Sequence, residues 1–515
     1  MPSELPLGER LRLCLVRSVI SAAIALFSAV DLIFVGVFAA RDAARRAIFG
    51  GPARAGACKP AVVVVGGSFA GLRVQRDLSA DFDVTLIDPK EYFEYTPGVL
   101  RLFTQPHKLL ALTAQLPRKH NRLIVGEATS VSSEVVSVRD AATGETVELP
   151  YDYLVLACGA GYPCATVKPA MAETTLEARQ ATWNAASTTL VAAKSVVVVG
   201  GGLVGVELAA EIVEAHPRKP LTLLTGGDVL CGTLPRSVGR ASLAWLVQRG
   251  VTVRFHAAVD DVDTGAVRLA SGEVLCADIV YDCRGNGPGR AATLLKDGAA
   301  SAATDAKGRV LVDETLRCAA GSGRIFVAGD AMSLPSSDDL KLGHTAELNA
   351  DVVADNIRHL CHAAKGGAQG VATGLATYPF GAVGASKTPR VSCVSLGEVY
   401  GVLSFNGLVI DGALAAVVKA LLEWTKIAAC AERPVGVAFW KFGDAAANWI
   451  SRTILSPPTR LPAVRPLVLY DGVCLLCSTF VQFVLDNDEE EIIDFAPLQV
   501  PSHSCRGSSV RRPTH

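Results

Sequence analysis

Short runs of branched apolar residues that end in glycine mark two similar segments of the chain. The run at 61–65 leads into a glycine turn, a helical stretch at 70–78 and a second short run at 84–87. A strand, a glycine turn, a helix and a second strand in this order make one βαβ unit, whose strands lie parallel and buried. The first segment therefore predicts a parallel sheet.

The second segment repeats the same order at 195–199, 200–202, 203–215 and 221–224. Between the two segments, the run at 153–157 leads into a glycine, and a similar run follows at 325–328. We therefore predict an α/β fold with two Rossmann-like dinucleotide-binding units, hence two parallel sheets, and further buried strands at these two runs.

The pattern changes near residue 376, where short Val- and Ser-rich stretches replace the buried runs. A helix is predicted at 413–430, with Leu414, Val417 and Leu421 on one face. This face is typical of packing against a core. The alternatives are that it lines the access of an apolar acceptor or lies on a membrane surface. We expect a smaller α+β region at 376–455.

An almost wholly apolar segment at 19–40 precedes all of these elements and is long enough to span a bilayer. Asp31 near its centre costs about 3 kcal/mol on an insertion scale, whereas its twelve Val, Ile, Leu and Phe residues return about 4 to 7 kcal/mol. We therefore favour a membrane anchor and linker at 1–60. A cleaved signal or transit segment and a buried helix are the alternatives.

Composition limits the classes of function. With 515 residues, 50% hydrophobic, 19% charged and a net charge of −1, the chain is long enough for several domains and lacks the charge of a polyanion-binding protein. The 14 cysteines are scattered, which is not the pattern of a secreted disulfide framework and favours a reducing compartment. We expect no nucleic-acid partner and no bound metal.

Glycines at the two strand-to-helix turns carry the candidate chemistry. A helix amino terminus offers unpaired N–H groups and the positive end of the helix dipole to a diphosphate, and glycines let the backbone approach it. The second turn contains the complete pattern, Gly200, Gly202, Gly205 and Glu207. The first turn has serine at the second glycine position, within Gly66, Gly67, Ser68, Phe69, Ala70 and Gly71. Both turns predict dinucleotide binding.

The residue that ends the following strand differs between the two units. Asp88 lies 22 residues after Gly66, about the separation at which a carboxylate accepts the ribose hydroxyls of an adenosine. The second unit has Thr225 at this point and lacks the acid that holds an NADH ribose and repels a 2′-phosphate. The choice between NADH and NADPH stays open.

The order of these motifs, with Gly159 between the turns and Gly329-Asp330 after them, resembles the pyridine nucleotide-disulfide oxidoreductases. Within that superfamily it is most similar to the apoptosis-inducing-factor-like ferroptosis suppressors and type II NADH dehydrogenases. The resemblance implies an FAD-binding domain at 61–190 and 305–375, with an NAD(P)H-binding domain at 191–304 inserted in it.

Site residues follow from the same resemblance. It places at FAD the residues Gly66, Gly67, Ser68, Phe69, Ala70, Gly71, Asp88, Arg101, Gly159, Gly329 and Asp330. It places at NAD(P)H the residues Gly200, Gly202, Gly205 and Glu207. Lys341 and Thr345 open the helix after Gly329-Asp330, and we expect them to be the catalytic residues beside the flavin.

The reaction that the resemblance implies moves hydride from NAD(P)H to FAD and two electrons on to an acceptor. The segment at 89–105 contains no cysteine, so a disulfide beside the flavin is not expected. A membrane quinone is therefore the expected acceptor, with the catalytic domain membrane-associated in a reducing compartment and a homodimer left open. The alternatives are a flavin-dependent thiol–disulfide reductase and a nucleotide-sensing factor that resembles apoptosis-inducing factor.

Cys474 and Cys477 form a Cys-x-x-Cys pair between a predicted strand and a predicted helix, where the helix dipole would lower the pKa of the first thiol. The segment at 466–515 resembles the first half of the thioredoxin-like DCC family, with Asp471 in the aspartate position. After Leu498 the chain is polar and has no strand pattern. A truncated remnant is therefore the alternative to a redox pair that serves the flavin.

Overall fold

The computed structural model describes residues 7–49, 59–117, 122–285, 287, 289–295, 303–319, 323–337, 340–365, 374–378, 389–454, 467–470 and 494–497. Its α-helices are α1 (Leu7–Phe49), α2 (Phe69–Leu78), α3 (Leu176–Ala192), α4 (Leu203–Ala215), α5 (Arg236–Gln248), α6 (Ala291–Leu294), α7 (Gly343–Lys365), α8 (Ala413–Cys430) and α9 (Pro434–Thr453). Turns of 3₁₀ helix span Thr96–Phe103, Pro106–Leu112, Ala165–Val167 and Gly329–Ala331.

The strands are β1 (Ala61–Val65), β2 (Asp83–Asp88), β3 (Tyr92–Glu94), β4 (Thr113–Gln115), β5 (Arg122–Val131), β6 (Val135–Asp140), β7 (Thr146–Pro150), β8 (Tyr153–Leu156), β9 (Val196–Val199), β10 (Leu221–Leu224), β11 (Thr252–Arg254), β12 (Val259–Val262), β13 (Ala266–Leu269), β14 (Val274–Cys276), β15 (Ile279–Asp282), β16 (Val310–Leu311), β17 (Ile325–Val327), β18 (Met332–Ser333), β19 (Val391–Ser395), β20 (Gly401–Phe405), β21 (Leu408–Gly412), β22 (Leu467–Tyr470) and β23 (Asp494–Pro497).

The first sheet contains seven strands in the order β17-β8-β1-β2-β5-β6-β7. Its first five strands are parallel, and β6 and β7 are antiparallel additions at one edge. Val64 is in register with Leu86 and Val155, and all three side chains are completely buried. Strand β17 joins this sheet beside β8, although the whole second unit separates them along the chain.

The second sheet contains four parallel strands in the order β11-β10-β9-β15. Side chains of β9 alternate between its two faces. Val196 and Val198 pack with α4 and α5, whereas Val197 and Val199 pack on the antiparallel strands β12–β14. The predicted α/β fold with two Rossmann-like units is therefore confirmed, with antiparallel strands added to each sheet.

Helix α1 lies along α8 and α9 through its described side chains at 14–37. Phe27 packs on Trp424 and Phe439, with ring centroids 5.8 and 6.4 Å apart. Asp31, the acid inside the apolar segment, is 1% exposed and accepts a hydrogen bond of 3.1 Å from the Val435 N–H at the start of α9. The positive end of a helix therefore compensates this carboxylate.

The C-terminal region consists of the antiparallel sheet β19-β20-β21 and helices α8 and α9. Helix α8 has the predicted bounds, but its predicted buried face is wrong for Leu414, which is 62% exposed. The most buried face instead carries charged side chains, Lys419, Glu423 and Lys426. These charges can be buried because each has a partner of opposite sign, as described below.

Strands β22 and β23 pair in parallel within the C-terminal segment. Cys474 and Cys477 lie outside the described residues. The resemblance of this segment to the DCC family therefore stays a prediction.

Candidate functional site

The two glycine turns have the same backbone construction. Gly66 has a φ of +110°, and its N–H donates to the Ile87 carbonyl at 2.8 Å. Gly200 has a φ of +118°, and its N–H donates to the Leu224 carbonyl at 2.8 Å. These φ values favour glycine. Each turn therefore joins its strand to the neighbouring parallel strand before the helix begins.

A second glycine, in the first turn of each helix, lets that helix pack closely on the glycine turn before it. A Cβ atom on Gly71 would lie 1.7 Å from the Gly66 carbonyl oxygen, and one on Gly205 would lie 1.9 Å from that of Gly200. Neither position has room for a side chain. The close approach sets the direction in which the amino termini of α2 and α4 point.

Both helices begin without a side-chain cap. Ser68 precedes α2, and its hydroxyl accepts no hydrogen bond from the helix. Gly202 precedes α4 and has no side chain that could do so. The first N–H groups of a helix have no partner within the helix, and they carry the positive end of its dipole. The two amino termini can therefore receive a diphosphate.

The end of the strand after each turn carries the predicted difference. The buried Asp88 carboxylate accepts a hydrogen bond of 2.6 Å from the Gly67 N–H, and Lys90 Nζ lies 2.9 Å from its other oxygen. The Lys90 N–H also donates to that second oxygen, at 3.0 Å, so the remaining lone pair lies on Oδ2, which leaves Asp88 able to accept a ribose hydroxyl. At the corresponding position, Thr225 lies beside Gly201.

A cavity of about 600 Å³ lies between the two units, within the roughly 300–1,000 Å³ range of ligand sites. The predicted residues that line it are Gly66, Ser68, Phe69, Ala70, Asp88, Gly159, Glu207, Gly329, Asp330 and Lys341. The other predicted residues in the described part of the chain, Gly67, Gly71, Arg101, Gly200, Gly202, Gly205 and Thr345, are not among its lining residues.

Charged side chains surround the Gly329-Asp330 turn. Lys168 Nζ lies 3.1 Å from Asp330 Oδ2, and Lys341 Nζ donates to the Gly329 carbonyl at 3.2 Å. Lys341 therefore lies at the cavity. Thr345 accepts a hydrogen bond of 3.1 Å from the N–H of Leu342, the residue that precedes α7, so the structure gives it a capping contact at the start of its own helix.

Glu94 joins the cavity wall to a buried ion cluster. Arg179 Nε and Nη2 donate to its carboxylate at 2.8 and 2.9 Å, and Arg179 also pairs with Glu173 at 3.1 Å. Arg179 is completely buried on α3. Sequence reasoning missed this cluster because Arg179 and Glu94 are 85 positions apart.

Glu207 connects the second unit to the C-terminal region. Its buried carboxylate accepts hydrogen bonds from Lys419 Nζ at 2.6 Å and from the Ser395 N–H at 2.7 Å. Glu207 lines the cavity together with Cys393 of β19. The glycine motif pointed to Glu207, but Lys419, Ser395 and Cys393 were not expected at this site.

Two further ion pairs extend from the same face of α8. Glu423 forms a bidentate pair with Arg101, at 2.9 and 2.8 Å, and Lys426 Nζ lies 2.6 Å from the Glu347 carboxylate of α7. Arg101 was predicted at FAD, whereas the structure places its guanidinium on Glu423. The spacing of 419, 423 and 426 within an apolar helix is a sequence signal that could have found this face.

The cavity also contains two thiols, Cys158 and Cys393. Burial raises the pKa of Cys158 to about 12 and that of Cys393 to about 11. Both groups are therefore thiols rather than thiolates at neutral pH, and thiolates are the reactive form. This arrangement does not favour thiol–disulfide chemistry at the described part of the site.

Comparisons with known proteins agree with this geometry. The chain is 25% identical over 365 residues to ferroptosis suppressor protein 1 of Xenopus tropicalis, a match that covers 67% of this chain and 88% of that protein. It is 27% identical over 316 residues to the type II NADH:quinone oxidoreductase NdhA of Mycobacterium tuberculosis, covering 53% and 66%. It is 30% identical over 168 residues to apoptosis-inducing factor homolog B of Dictyostelium discoideum, covering 32% of this chain and less than half, 42%, of that relative.

Solved structures show the same fold. NDH2 from Plasmodium falciparum in complex with NADH has a TM-score of 0.55 at 15% identity, covering 73% of this chain and 99% of that structure. The sulfide:quinone oxidoreductase of Aquifex aeolicus has a TM-score of 0.58 at 18% identity, covering 79% and 100%. At these identities the similarity concerns the fold alone.

The match to a family covers more than half of the chain. Residues 60–363 match the pyridine nucleotide-disulphide oxidoreductases, and this segment contains both glycine turns and the Gly329-Asp330 turn. The chain therefore belongs to the pyridine nucleotide-disulphide oxidoreductase family.

Proposed function

We propose that the chain is an FAD-dependent NAD(P)H:quinone oxidoreductase that works at a membrane. The observation that carries this proposal is the shared cavity. It is lined at once by the first glycine turn, by the Gly329-Asp330 turn and by Glu207 of the second unit. A flavin held by the first unit and a nicotinamide held by the second would meet in this one space.

The residues of the first unit fit FAD. The uncapped amino terminus of α2 can receive the diphosphate, and Asp88 can accept hydroxyls of the adenosine ribose. Asp330, held by Lys168, is the acceptor for hydroxyls of the ribityl chain. When bound, FAD accepts hydride from NAD(P)H and passes two electrons to the acceptor.

The remaining residues exclude water from the cavity or position the helices around it. The apolar side chains of Leu100, Leu203 and Val204 line the cavity and exclude water from the reacting groups. Arg101 acts through Glu423, by fixing α8 beside the cavity, and Thr345 acts by capping α7. We propose positioning roles for Arg101 and Thr345 and contact with the cofactor for Lys341.

Two features support a quinone as the acceptor. The relative NdhA is named a NADH:quinone oxidoreductase. Reduction of a quinone by hydride also consumes one proton, and the Lys419 ammonium donates a hydrogen bond to Glu207 at the cavity wall, so this pair holds a proton beside the cavity.

Helix α1 supports the attachment of the protein to a membrane. In the described part of the chain, the 24-residue stretch Cys14–Val37 of α1 is long and apolar enough to cross a bilayer. Leu26, Leu32 and Ile33 are exposed on it, and Phe442 of α9 is 78% exposed. We propose that α1 and the outer face of α9 together attach the protein to lipid.

The domain division stays part of the proposal. We assign FAD to residues 61–190 and 305–375 and NAD(P)H to residues 191–304. The pairing of β17 with β8 supports this division, because it returns the chain to the first sheet after the second unit.

The test uses the full chain purified in detergent. We expect a flavin absorption spectrum, bleaching of that spectrum by NADH or NADPH without oxygen, and reoxidation by a soluble quinone. Replacing Cys474 and Cys477 with serine should leave quinone turnover unchanged. Turnover with disulfides but not with quinones would refute the proposal.

A further inference from the structure

Helix α4 carries three glutamates on one face. Glu207, Glu211 and Glu214 are separated by four and three positions, the spacing at which side chains are neighbours on a helix. Glu207 lines the cavity, Glu211 is 5% exposed, and Glu214 is partly exposed at the end of the helix. The three carboxyl groups therefore form a line from the cavity toward the surface.

The outer end of this line reaches a polar surface. The Glu214 carboxylate accepts a hydrogen bond of 2.8 Å from the Glu398 N–H. Glu398 in turn pairs with Arg17 at 2.8 Å and with Lys108 at 3.2 Å. All three of these side chains are about one-third exposed, so protons from solution can reach Glu214.

Among the residues that the structure describes, the middle glutamate, Glu211, forms no ion pair of its own. The groups that face Glu211 are Arg101 and Lys419, which favour its charge, and Glu207 and Glu214, which oppose it. Arg101 already forms a bidentate pair with Glu423, and Lys419 already pairs with Glu207. Both cations that favour the charged form of Glu211 are therefore already paired with other carboxylates.

This environment suits a group that takes up and releases a proton. Burial raises the pKa of Glu211 to about 7, and it also raises the pKa of Glu214 above its ordinary value. A group whose pKa is near the working pH is populated in both protonation states, which a proton relay requires. Glu207 lines the cavity, so a relay along α4 can end there.

The proposed reaction needs this proton. NAD(P)H supplies a hydride, which carries two electrons and one hydrogen nucleus, and the quinone becomes a hydroquinone only when one proton is added. The balance is NAD(P)H plus a proton plus quinone, giving NAD(P)⁺ plus hydroquinone. After each turnover the group that donated the proton must be reprotonated from solution.

We propose that Glu211 relays protons from Glu214 at the surface to the Glu207–Lys419 pair at the cavity, and so reloads the acid that protonates the reduced acceptor. This inference rests on the proposed quinone reductase activity. Glu211 does not touch the cavity in this arrangement and is not a catalytic residue; it acts through Glu207.

The main test compares two acceptors in the full chain carrying FAD. Glu211→Gln keeps the shape of the side chain and cannot relay a proton. We expect turnover with a soluble quinone to fall about tenfold, most strongly at alkaline pH. Turnover with ferricyanide, which takes one electron at a time and no proton, should stay within about twofold. Glu211→Asp should restore much of the quinone turnover.

Asp351→Asn provides the matched control. Asp351 is a half-buried carboxyl, 26% exposed, whose pKa is also raised to about 7 by burial, but it lies on α7 and is not among the residues that line the cavity. We expect equal turnover with both acceptors in this variant. Infrared titration gives a readout independent of activity: the wild type should show two protonated-carboxyl signals that titrate near neutral pH, one from Glu211 and one from Asp351. Glu211→Gln should lose one signal, Asp351→Asn the other, and the double variant both.

Each contrary outcome has a separate meaning. Unchanged quinone turnover in Glu211→Gln, or an equal loss with quinone and ferricyanide, overturns the relay while leaving the proposed function in place. A wild-type protein that bleaches with NAD(P)H but never reduces a quinone overturns the proposed function, and the relay with it.

Discussion

The two close-packed glycines allow the cofactor assignment to be tested one unit at a time. Gly71→Ala and Gly205→Ala place a methyl group 1.7 and 1.9 Å from a carbonyl oxygen, where contacts below 3.0 Å are essentially never found. Each helix must therefore retreat by more than about 1 Å. The retreat moves the N–H groups at its amino terminus away from the diphosphate.

The expected magnitude follows from overpacking. Inserting a methylene into a close-packed site costs about 1–3 kcal/mol, which corresponds to about 5- to 150-fold in affinity if the strain falls on the nucleotide site. Gly71→Ala should yield protein depleted of flavin. Gly205→Ala should retain its flavin but require a correspondingly higher concentration of NAD(P)H to reduce it.

Gly202→Ala separates packing from nucleotide contact. A Cβ atom on Gly202 has nothing within 4 Å, so the folded protein should be as stable as the wild type. The methyl group nevertheless stands before α4, where the diphosphate would approach. We expect unchanged thermal unfolding and flavin content but weaker NAD(P)H binding, measured by stopped-flow reduction of the flavin. Loss of flavin in Gly205→Ala with normal flavin in Gly71→Ala would refute the assignment of the two units.

Three further predictions concern charged groups. Asp351 shares Arg73 with Asp77 and Asp444, and its pKa is raised to about 7. Between about pH 4 and 7 the folded protein therefore keeps a proton that the unfolded chain releases, so the free energy of unfolding falls as the pH rises through this window. Asp351→Asn should be about 1 kcal/mol more stable than wild type at pH 8 and similar at pH 4, a modest difference because the side chain is 26% exposed and ion-paired, and equal stability at both pH values would contradict the reasoning. Asp31→Leu leaves the Val435 N–H without its acceptor and should cost about 1–3 kcal/mol, seen as a lower unfolding temperature in detergent, whereas an unchanged temperature would show that α1 does not dock on α9. Lys419→Met leaves the buried Glu207 carboxylate without its partner and should lower the free energy of unfolding by about 3–5 kcal/mol. The double variant with Glu207→Gln should recover most of this stability, and no recovery would mean that the pair is not the source of the loss.

The local motifs could be read from the sequence because their physics is local. A run such as 61–65 is apolar on both faces because it is buried on both faces, and the glycines after it are required by a turn that spans only a few residues. The order of elements then predicts the parallel pairing. Both units, and the difference between Asp88 and Thr225, follow from this reasoning.

The ion pairs between α8 and the rest of the chain could not be predicted in this way. Lys419 is 212 positions from Glu207, and Glu423 is 322 positions from Arg101. Nothing in the sequence near either residue indicates its partner. The apolar pattern of α8 suggested a buried Leu414, which is exposed, and gave no sign that the charged face is buried, because a charged face is normally exposed unless distant partners neutralise it.

These distant pairs explain how one helix can complete the cavity. Lys419, Glu423 and Lys426 bind α4, the 3₁₀ turn at 96–103 and α7 respectively, so α8 is held to both nucleotide units at three points. Replacing such pairs with apolar residues is often neutral for stability, whereas a misplaced helix would leave each charge buried and unpaired. The pairs therefore select one position of α8. In that position the Ser395 N–H of the adjoining sheet donates to Glu207, and Cys393 lines the cavity with it, so the docked C-terminal region completes this wall of the cavity.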